Sequence, residues 1–475
     1  MIRHTKIVAT LGPASDSLIE PLVASGVDVF RLNFSHGSHE EHGERVSNIR
    51  AAAARLGRFV AILADLQGPK LRIGGFADRS AVELVPGHAF AIDASLGERQ
   101  GDSRQVGTTH RRLAAEVACG DVLVLGDGLI ELEVTGTQGQ RVDCRVLSGG
   151  SLDANKGINK RGGGLSAPAL TAKDKTDLAF ACRVGVDYIG VSFPRSAADI
   201  EQARQLIADE EATCGLVAKL ERTEAVADAA TLDAIILASD AVMVARGDLG
   251  IEIGDAALMG MQKKIINRAR ALNRSVITAT QMMESMITNP RPTRAEVMDV
   301  ANAVVDGTDA VMLSAETAVG RYPVETVASM VAVIQGAEAS TEYGFTTMAH
   351  PCTATDESIA MAVMTVADNL AGVRAVACLT TSGNTPKLMS KRRSRLPIYA
   401  LSSNPQTLAK VALYRGVHPV LFDAGEGDYA AVNEAAVDWL KQAGVIKRGD
   451  RVILSKGDRR NVPGGTNMLK IVETD

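Results

Sequence analysis

Three charged residues follow two apolar runs near the middle of the chain. Lys219 and Glu221 end the run LVAKLE, and Asp248 closely follows the run AVMVA. If these runs are neighbouring parallel strands, the two carboxylates lie side by side and suit Mg²⁺ or Mn²⁺, because such ions bind oxygen ligands and need few protein carboxylates. Lys219 lies two residues before Glu221, so both side chains project to the same side of a strand. A lysine beside a metal pair predicts a site that also holds a phosphoryl group.

The segment ARGDLG, residues Ala245 to Gly250, is a second chemical signal. Glycines flank Asp248, and we expect an aspartate-initiated turn whose backbone N–H groups donate to a carboxylate or phosphate. The chain contains neither G-x-x-x-x-G-K-[ST] nor G-x-G-x-x-G, so P-loop and Rossmann sites lose their main support. The run HGSHEEH misses the H-E-x-x-H spacing by one residue and is typical of surface or capping histidines.

Eight short β-branched runs, separated by segments of helical periodicity, would position these residues. The runs begin at Lys6, Val27, Val60, Asp187, Leu216, Ala241, Ser275 and Ala310. Eight strands alternating with helices indicate a (β/α)8 TIM barrel, whose active site lies at the carboxyl ends of the strands. The polar groups expected to converge there are Arg31, Asn33, Ser35, Asp65, Ser192, Lys219, Glu221, Asp248, Thr280, Ser314 and Glu316.

The spacing of the runs is interrupted once, between the third and the fourth. Residues 71–165 contain strand-like runs separated by Gly and Asp turns, which predicts a small all-β barrel domain inserted above the barrel mouth. Its return segment NKGINKRGGGLSAP suits a hinge, so we interpret the insert as a lid, with a passive insertion as the alternative. The catalytic barrel then covers 1–70 and 166–338, and 339–475 form a C-terminal open α/β sheet domain.

Composition narrows the classes of partner. The 475 residues are 46% hydrophobic and 23% charged, as in globular proteins, and only 3% aromatic. A net charge of −5 and few aromatic residues argue against nucleic-acid binding. Without an apolar run of membrane-spanning length or a signal-like N-terminus, we expect no membrane association and a cytoplasmic location. Six cysteines without C-x-x-C spacing predict reduced, mostly structural thiols.

Together these motifs resemble the pyruvate kinase family along essentially the whole chain. The family's order is kept by KIVATLGPAS, RLNFSHG, ADLQGPKLR, NKGIN, VSFPR, VAKLER, MVARGDLG, ATQMMESM, NPRPTRAEVMDVANAVVDGTDAVMLSAETA and SKGD. The resemblance implies transfer of a phosphoryl group from phosphoenolpyruvate to ADP, which yields pyruvate and ATP, with Mg²⁺ or Mn²⁺ as cofactor. It also implies a homotetramer and activation by a phosphorylated metabolite.

The resemblance assigns roles to individual residues. Arg31 matches the arginine that binds the substrate phosphate, and Lys219 matches the lysine that stabilises the transferring phosphoryl group. The implied metal ligands are Glu221 and Asp248. The implied nucleotide contacts are Asn33, His36, Arg72, Lys156 and Lys173.

A further set of residues concerns the substrate carboxylate and the enolate. The backbone of Gly247 and Asp248, with the Thr280 hydroxyl, matches the position that holds the carboxylate. The enolate left after transfer must take a proton on carbon, and we expect Thr280 and Ser314 to organise a water for this step. The alternative acid is Lys219 with a depressed pKa.

The resemblance also concerns potassium. Many family members hold a monovalent cation with groups that match Asn33, Ser35 and Asp65. Those members carry a glutamate where this chain has Lys70 in the motif Gly68-Pro69-Lys70, and Leu66 replaces their usual threonine. The Lys70 ammonium would supply a fixed positive charge and repel K⁺, so we predict that K⁺ is not required. The alternative is a lysine that merely points to solvent.

A candidate effector loop follows a predicted strand in the C-terminal domain. It consists of Thr380, Thr381, Ser382, Gly383, Asn384 and Thr385. The loop opens a predicted helix that continues through Lys391, so hydroxyl and N–H groups could cradle a phosphate. Family members bind sugar-phosphate effectors at this loop, with the segment near Lys456 to Thr466 folding over it. The alternative is an ordinary capped helix with a solvated basic face.

Two other classes of protein keep part of the pattern. A Mg²⁺-dependent barrel lyase or aldolase acting on pyruvate would use the same metal and enolate but would need no lid. A non-catalytic sugar-phosphate sensor would not need the intact Lys219, Glu221, Asp248 and Thr280. ADP-dependent formation of ATP from phosphoenolpyruvate separates a kinase from both.

Overall fold

The structure is a computed structural model that describes residues 2–77, 79–126, 128–340, 352–423, 429–458 and 464–475. Its first elements are β1 (Lys6–Thr10), α1 (Ile19–Ser25), β2 (Val29–Asn33), α2 (His39–Arg55) and β3 (Ala61–Asp65). Local sequence explains where α2 begins. The Ser38 hydroxyl accepts from the Glu41 N–H while the Glu41 carboxylate accepts from the Ser38 N–H, which is a capping box.

The inserted segment is β-rich, as predicted. Its elements are β4 (Ala81–Leu84), β5 (Ala89–Asp93), β6 (Gln105–Val106), α3 (Leu113–Glu116), β7 (Val122–Leu125), β8 (Ile130–Gln138), β9 (Arg141–Ser148), β10 (Gly150–Asp153) and β11 (Ile158–Lys160). The expected closed barrel is refined to a six-stranded sheet, ordered β11-β7-β8-β9-β5-β6, and a separate pair, β10-β4. The outer strands β11 and β6, of three and two residues, lie at opposite ends of this sheet and are not neighbours in it.

The chain then returns to complete the barrel. The remaining elements are α4 (Ala172–Arg183), β12 (Tyr188–Val191), α5 (Ala197–Asp209), β13 (Gly215–Leu220), α6 (Thr223–Val226), α7 (Ala229–Ala238), β14 (Ala241–Ala245), α8 (Arg246–Ile253), α9 (Asp255–Ala271), β15 (Ser275–Ala279), a 3₁₀ turn (Glu284–Ile287), α10 (Arg294–Asp306), β16 (Ala310–Leu313), α11 (Ala315–Ala318) and α12 (Pro323–Ser340). Eight parallel strands close in the order β1-β16-β15-β14-β13-β12-β3-β2, which confirms the TIM barrel.

The C-terminal domain is the predicted open α/β sheet. Its elements are α13 (Thr355–Asn369), β17 (Val373–Leu379), α14 (Asn384–Ser390), β18 (Ile398–Ser402), α15 (Pro405–Val411), β19 (Val417–Leu421), α16 (Tyr429–Gln442), β20 (Arg451–Gly457) and β21 (Thr466–Glu473). The strand order is β19-β18-β17-β20-β21, and β21 runs antiparallel to β20. Sequence analysis did not predict β21, because most of its side chains are at least partly exposed and do not form a buried apolar run.

Two apolar contacts join the domains into one scaffold for the site. Ala412 and Leu413 of the C-terminal domain pack with interior barrel residues such as Val8 and Met243, and so close the amino-terminal floor of the barrel. Within the described residues, no helix combines the length and apolar character needed to cross a membrane. The opposite rim of the barrel is left to face the inserted domain.

Candidate active site

Arg31 projects from β2 at the carboxyl-terminal rim of the barrel. Its Nε and one terminal nitrogen each lie 2.6 Å from Asp65 Oδ2, and another nitrogen donates to Thr10 Oγ1 at 3.1 Å. Burial would raise the pKa of Asp65, but Lys219 and Arg31 outweigh it and hold that pKa below its usual value. Asp65 is therefore a carboxylate that positions two cations at the rim.

Lys219, on β13, is the second of these cations. Its ammonium donates to Ser192 Oγ at 2.8 Å and lies 2.9 Å from Glu221 Oε1. It also lies 3.2 Å from Asp65 Oδ1, but that contact lacks hydrogen-bond geometry. Burial would lower the pKa of Lys219, but the carboxylates of Asp65 and Glu221 outweigh it and raise the pKa. Lys219 is therefore positively charged at neutral pH.

Glu221 directly follows β13 and is 1% exposed. Besides contacting Lys219, its carboxylate accepts from the Phe193 N–H at 2.8 Å. Burial, with a contribution from the Asp248 charge, raises the pKa of Glu221 to about 7 against the opposing effect of Lys219. Two repelling carboxylates fit a divalent cation, since bound Mg²⁺ would remove the repulsion that they otherwise carry.

The donor set around this carboxylate pair is also that of magnesium. Among the described residues, no three His, Cys, Asp or Glu side chains come together as a metal site. A cation here would therefore rest on Glu221 and Asp248 together with substrate oxygens and waters. This matches Mg²⁺, which seldom has a cage made only of protein ligands.

The segment ARGDLG differs from its expected turn. Helix α8 begins at Arg246, immediately after β14, so Asp248 lies in the first turn of a helix. The Gly247 N–H at this helix start donates to Thr280 Oγ1 at 2.9 Å. The backbone of Gly247 and the hydroxyl of Thr280, both expected at the substrate carboxylate, thus come together, but they are joined directly to each other.

Thr280 has an unusual backbone conformation. Its φ is +66° and that of Gln281 is +56°, which costs about 1–3 kcal/mol for each such residue. Arg246, a residue that sequence analysis passed over, donates to the Thr280 carbonyl at 2.6 Å and 3.2 Å and to Asp299 at 2.7 Å. The buried guanidinium holds this strained turn, and the only sequence signal was its place in MVARGDLG.

Ser314 follows β16 on the same rim. Its N–H donates to Glu316 Oε2 at 2.7 Å, and Glu316 Oε1 accepts from the Met283 N–H at 3.2 Å. Glu316 is 2% exposed. It therefore fixes the backbone of the two loops that contain Met283 and Ser314.

Comparison with known proteins agrees with this geometry. The family described as "Pyruvate kinase, barrel domain" matches residues 2–327, and "Pyruvate kinase, alpha/beta domain" matches residues 357–472. The chain belongs to the pyruvate kinase family. It is a phosphotransferase that acts on phosphoenolpyruvate and ADP, and the family generally uses Mg²⁺. The lyase and the non-catalytic sensor are thereby set aside.

Individual relatives show the same family over their full lengths. The chain is 52% identical over 478 residues to pyruvate kinase II of Salmonella typhimurium, covering 100% of this chain and 99% of the relative. It is 51% identical over 460 residues to pyruvate kinase of Haemophilus influenzae, covering 96% of each. The crystal structure of a pyruvate kinase from Cryptosporidium parvum superposes with a TM-score of 0.93 at 32% identity, covering 100% of this chain and 96% of that one.

Two of the five nucleotide positions implied by the pyruvate kinase resemblance lie in one cavity with Asp248. Arg72 and Lys156 of the inserted domain, together with Lys70 and Asp248, line a cavity of about 380 Å³ between that domain and the barrel. One Arg72 nitrogen donates to the Asn155 carbonyl at 2.7 Å. These cations therefore share a cavity with the Asp248 carboxylate.

The other three nucleotide positions lie around the loop that follows β2. Asn33 ends β2, His36 is exposed, and Lys173 donates to the Phe34 carbonyl at 2.7 Å and to Asp177 at 2.6 Å. None of the three is among the residues that line the 380 Å³ cavity. The structure thus divides the implied nucleotide contacts into two groups.

Lys70 faces the same cavity although it is solvent-accessible. Burial, with the nearby charge of Arg72, lowers the pKa of Lys70 against the opposing charges of Asp248 and Glu221. The ammonium therefore interacts electrostatically with the carboxylates of Asp248 and Glu221. This differs from a lysine that points away into solvent.

The positions that the resemblance assigned to a monovalent cation have contacts within the protein. Asn33 Oδ1 accepts from the Ser35 N–H at 3.1 Å. The Asp65 carboxylate is 1% exposed and contacts both Arg31 and Lys219. Its charge is already balanced by cations of the protein itself.

The effector loop joins β17 to α14. The Thr380 hydroxyl accepts from the Gly383 N–H at 2.9 Å, and Gly383 has a left-handed φ of +79°. The Thr385 hydroxyl lies 2.6 Å from the Thr466 hydroxyl at the start of β21, whereas Ser382 is exposed. The loop therefore contacts the last strand, and residues 459–463 of the segment expected to fold over it lie outside the described residues.

The alternative of an ordinary helix with a solvated basic face does not describe α14. The helix ends at Ser390, and the Lys391 side chain is 1% exposed. Its ammonium pairs with Asp309 and donates to Ser275 Oγ at 2.9 Å. These partners lie at the starts of β16 and β15, so the lysine anchors the C-terminal domain to the barrel floor and does not face solvent.

Proposed function

We propose that phosphoryl transfer occurs at the carboxyl-terminal rim, with Arg31 and Lys219 as fixed cations and Thr280 and Ser314 as polar partners of the enolate. The observation that carries this proposal is the charged Lys219 ammonium. It is held by the carboxylates of Asp65 and Glu221, and Glu221 is one of the two proposed metal ligands. Transfer of this kind depends on positioning and charge compensation more than on covalent chemistry.

The direct test is a turnover assay with purified protein. ATP must form from phosphoenolpyruvate and ADP in the presence of Mg²⁺, in equal amount to pyruvate. Release of pyruvate or phosphate that does not depend on ADP would contradict the proposal. An assay without divalent ion is the control.

Enolate protonation is assigned to a water held by Thr280 and Ser314. Lys219 is a poor acid because its pKa is raised, so at neutral pH it keeps its proton and serves as a charge clamp. The Thr280 hydroxyl donates to the Ala279 carbonyl at 2.7 Å and accepts from Gly247, which leaves it an oxygen lone pair for a water.

We assign the metal to Glu221 and Asp248. When bound, Mg²⁺ supplies positive charge that stabilises phosphoryl and enolate oxygens. The two carboxylates orient it beside Lys219, which already approaches Glu221 at 2.9 Å.

Asp248→Asn is expected to raise the Mg²⁺ concentration for half-maximal rate by about tenfold or more, because one charged oxygen ligand is lost. A magnesium titration of the rate measures this shift. Glu252→Gln is the matched control, since Glu252 is a buried carboxylate that lines the same cavity and accepts from the Thr223 N–H at 2.7 Å. Equal titrations for Asp248→Asn and the unchanged protein would contradict the metal site.

The inserted domain, residues 71–165, is assigned as a lid on the catalytic barrel formed by 1–70 and 166–338. Support comes from its return segment, where Gly162, Gly163 and Gly164 have φ values of +82°, +80° and +96°, a conformation that favours glycine. Closure would bring Arg72 and Lys156 onto the nucleotide phosphates. Asn33, His36 and Lys173 would contact the nucleotide from the loop after β2.

Residues 339–475 are assigned a regulatory role through the loop from Thr380 to Thr385, where a phosphorylated metabolite would bind. Support comes from exposed Ser382 and from the contact between this loop and β21. We further propose a homotetramer, a cytoplasmic location and a reaction that does not require K⁺. Light scattering of the purified protein tests the oligomer.

Ser382→Asp is expected to abolish activation by sugar phosphates without changing the maximal rate at saturating substrate. The introduced carboxylate repels a phosphate at the loop. Rates at low phosphoenolpyruvate, with and without a panel of sugar monophosphates and bisphosphates, measure the effect. Ser403→Asp, at an exposed serine that follows β18, is the control, and persistent activation of Ser382→Asp would place the effector elsewhere.

A further inference from the structure

Two cysteines that are distant in the sequence lie near each other beneath the barrel. Cys182 lies in the last turn of α4, and Cys214 immediately precedes β13. Both border the turn before β12, where the Gly185 N–H donates to the Cys182 carbonyl at 3.1 Å and the Cys214 thiol donates to the Val186 carbonyl at 3.2 Å. Both also line one cavity of about 990 Å³ on the floor side of the molecule. All six cysteines are free, so these are two reduced thiols at the same turn.

The two thiols differ in exposure and in acidity. Cys182 is partly exposed, and the neighbouring Cys214 thiol lowers the pKa of Cys182 against the effect of burial. Cys214 is buried, donates to the Val186 carbonyl at 3.2 Å, and has a raised pKa because of the neighbouring Cys182 and of burial. An accessible thiol with more thiolate character beside a buried thiol is the arrangement of an attacking and a resolving cysteine.

Three of the other cysteines, Cys119, Cys144 and Cys378, lack one part of this arrangement. Cys144 and Cys378 are buried, and burial raises the pKa of both thiols, which suppresses the reactive thiolate. Cys119 is exposed in the inserted domain, where its thiol contacts the Thr135 carbonyl at 3.6 Å. It provides an accessible thiol against which the pair can be compared.

We propose that Cys182 and Cys214 are a redox modification site that hydrogen peroxide converts into a reversible disulfide. The Cys182 thiolate sulfur attacks one peroxide oxygen, the O–O bond breaks, and water leaves once the second oxygen takes a proton. The Cys214 thiol then attacks the sulfenic sulfur, the S–S bond forms, and the hydroxyl leaves as water with the Cys214 proton. Overall, two thiols are oxidised to one disulfide and one peroxide is reduced to two waters.

A disulfide at this position would cross-link two elements of the barrel. It would join the end of α4 to the start of β13, and β13 carries Lys219 near its opposite end. The cross-link also lies at the cavity wall shared with Lys410 of α15. The modification is therefore on the floor side, away from the rim where phosphoryl transfer is proposed.

The test is peptide mapping of the full-length protein after graded treatment with hydrogen peroxide. We expect a peptide pair joined through Cys182 and Cys214, lighter than the two free peptides by two hydrogens and restored by dithiothreitol. Cys214→Ser should stop at a Cys182 sulfenic acid that dimedone traps, and Cys182→Ser should leave Cys214 reduced. Cys119→Ser is the control and should keep the cross-link.

Two results would overturn the proposal. One is oxidation of Cys119 at peroxide doses that leave Cys182 and Cys214 unlinked in the unchanged protein, a measurement that needs no variant to fold. The other is a disulfide that joins either residue to a different cysteine. Far-ultraviolet circular dichroism of each variant ensures that thiol reactivity is compared between folded proteins.

Discussion

Lys219→Met is expected to lower the maximal rate of phosphoryl transfer by about a thousandfold or more. The ammonium acts on charge that develops in the transition state, and removing one such preorganised group costs about 10²–10³ in rate. The cost is larger here because Asp65 and Glu221 both contact this ammonium and lose its charge. Steady-state kinetics at saturating Mg²⁺ and both substrates measures the effect.

The same substitution leaves buried carboxylates without their cation, which costs about 3–5 kcal/mol of folding free energy. Lys6→Met is therefore the matched control. Lys6 is also a buried barrel lysine, but at the floor, where its ammonium donates to the Val417 carbonyl at 2.6 Å. We expect both variants to lose stability and only Lys219→Met to lose activity. A rate within tenfold of the unchanged protein for folded Lys219→Met would contradict the role of Lys219.

Lys70→Glu is expected to create a potassium requirement, with a rise of about a hundredfold in rate when K⁺ is added, equivalent to about 2.7 kcal/mol. The substitution replaces a positive charge by a negative one in a cavity lined by Asp248. The Glu221 carboxylate also acts electrostatically on this position. A monovalent cation would then compensate the excess negative charge. Rates in tetramethylammonium buffer, with and without added KCl, measure the requirement.

The unchanged protein should differ little between these two buffers, since Lys70 supplies the charge and Asp65 is balanced by Arg31 and Lys219. Lys156→Glu is the control, because it reverses a charge on the wall of the same cavity. It should lower the rate in both buffers by a similar factor. A hundredfold activation of the unchanged protein by K⁺ would show that Lys70 does not replace the ion.

The sequence by itself determined the architecture and the types of residue at the rim. The eight barrel strands lie within two residues of their predicted positions, because short buried runs of β-branched residues between amphipathic helices are a local signal. Arg31, Asp65, Lys219 and Glu221 converge as expected, since the carboxyl ends of parallel barrel strands share one rim.

Only the tertiary structure decided which of these groups contact each other. Arg246 holds Thr280, Lys391 is buried against Asp309, and Cys182 and Cys214 line one cavity. Each pair consists of residues at least 32 positions apart in the chain. Hydrophobic periodicity reports which face of an element is buried, but not which distant side chain meets it there. The partners of a buried charge or thiol are set by the packing of whole elements, and that packing also determines whether the group is a structural anchor or a reactive one.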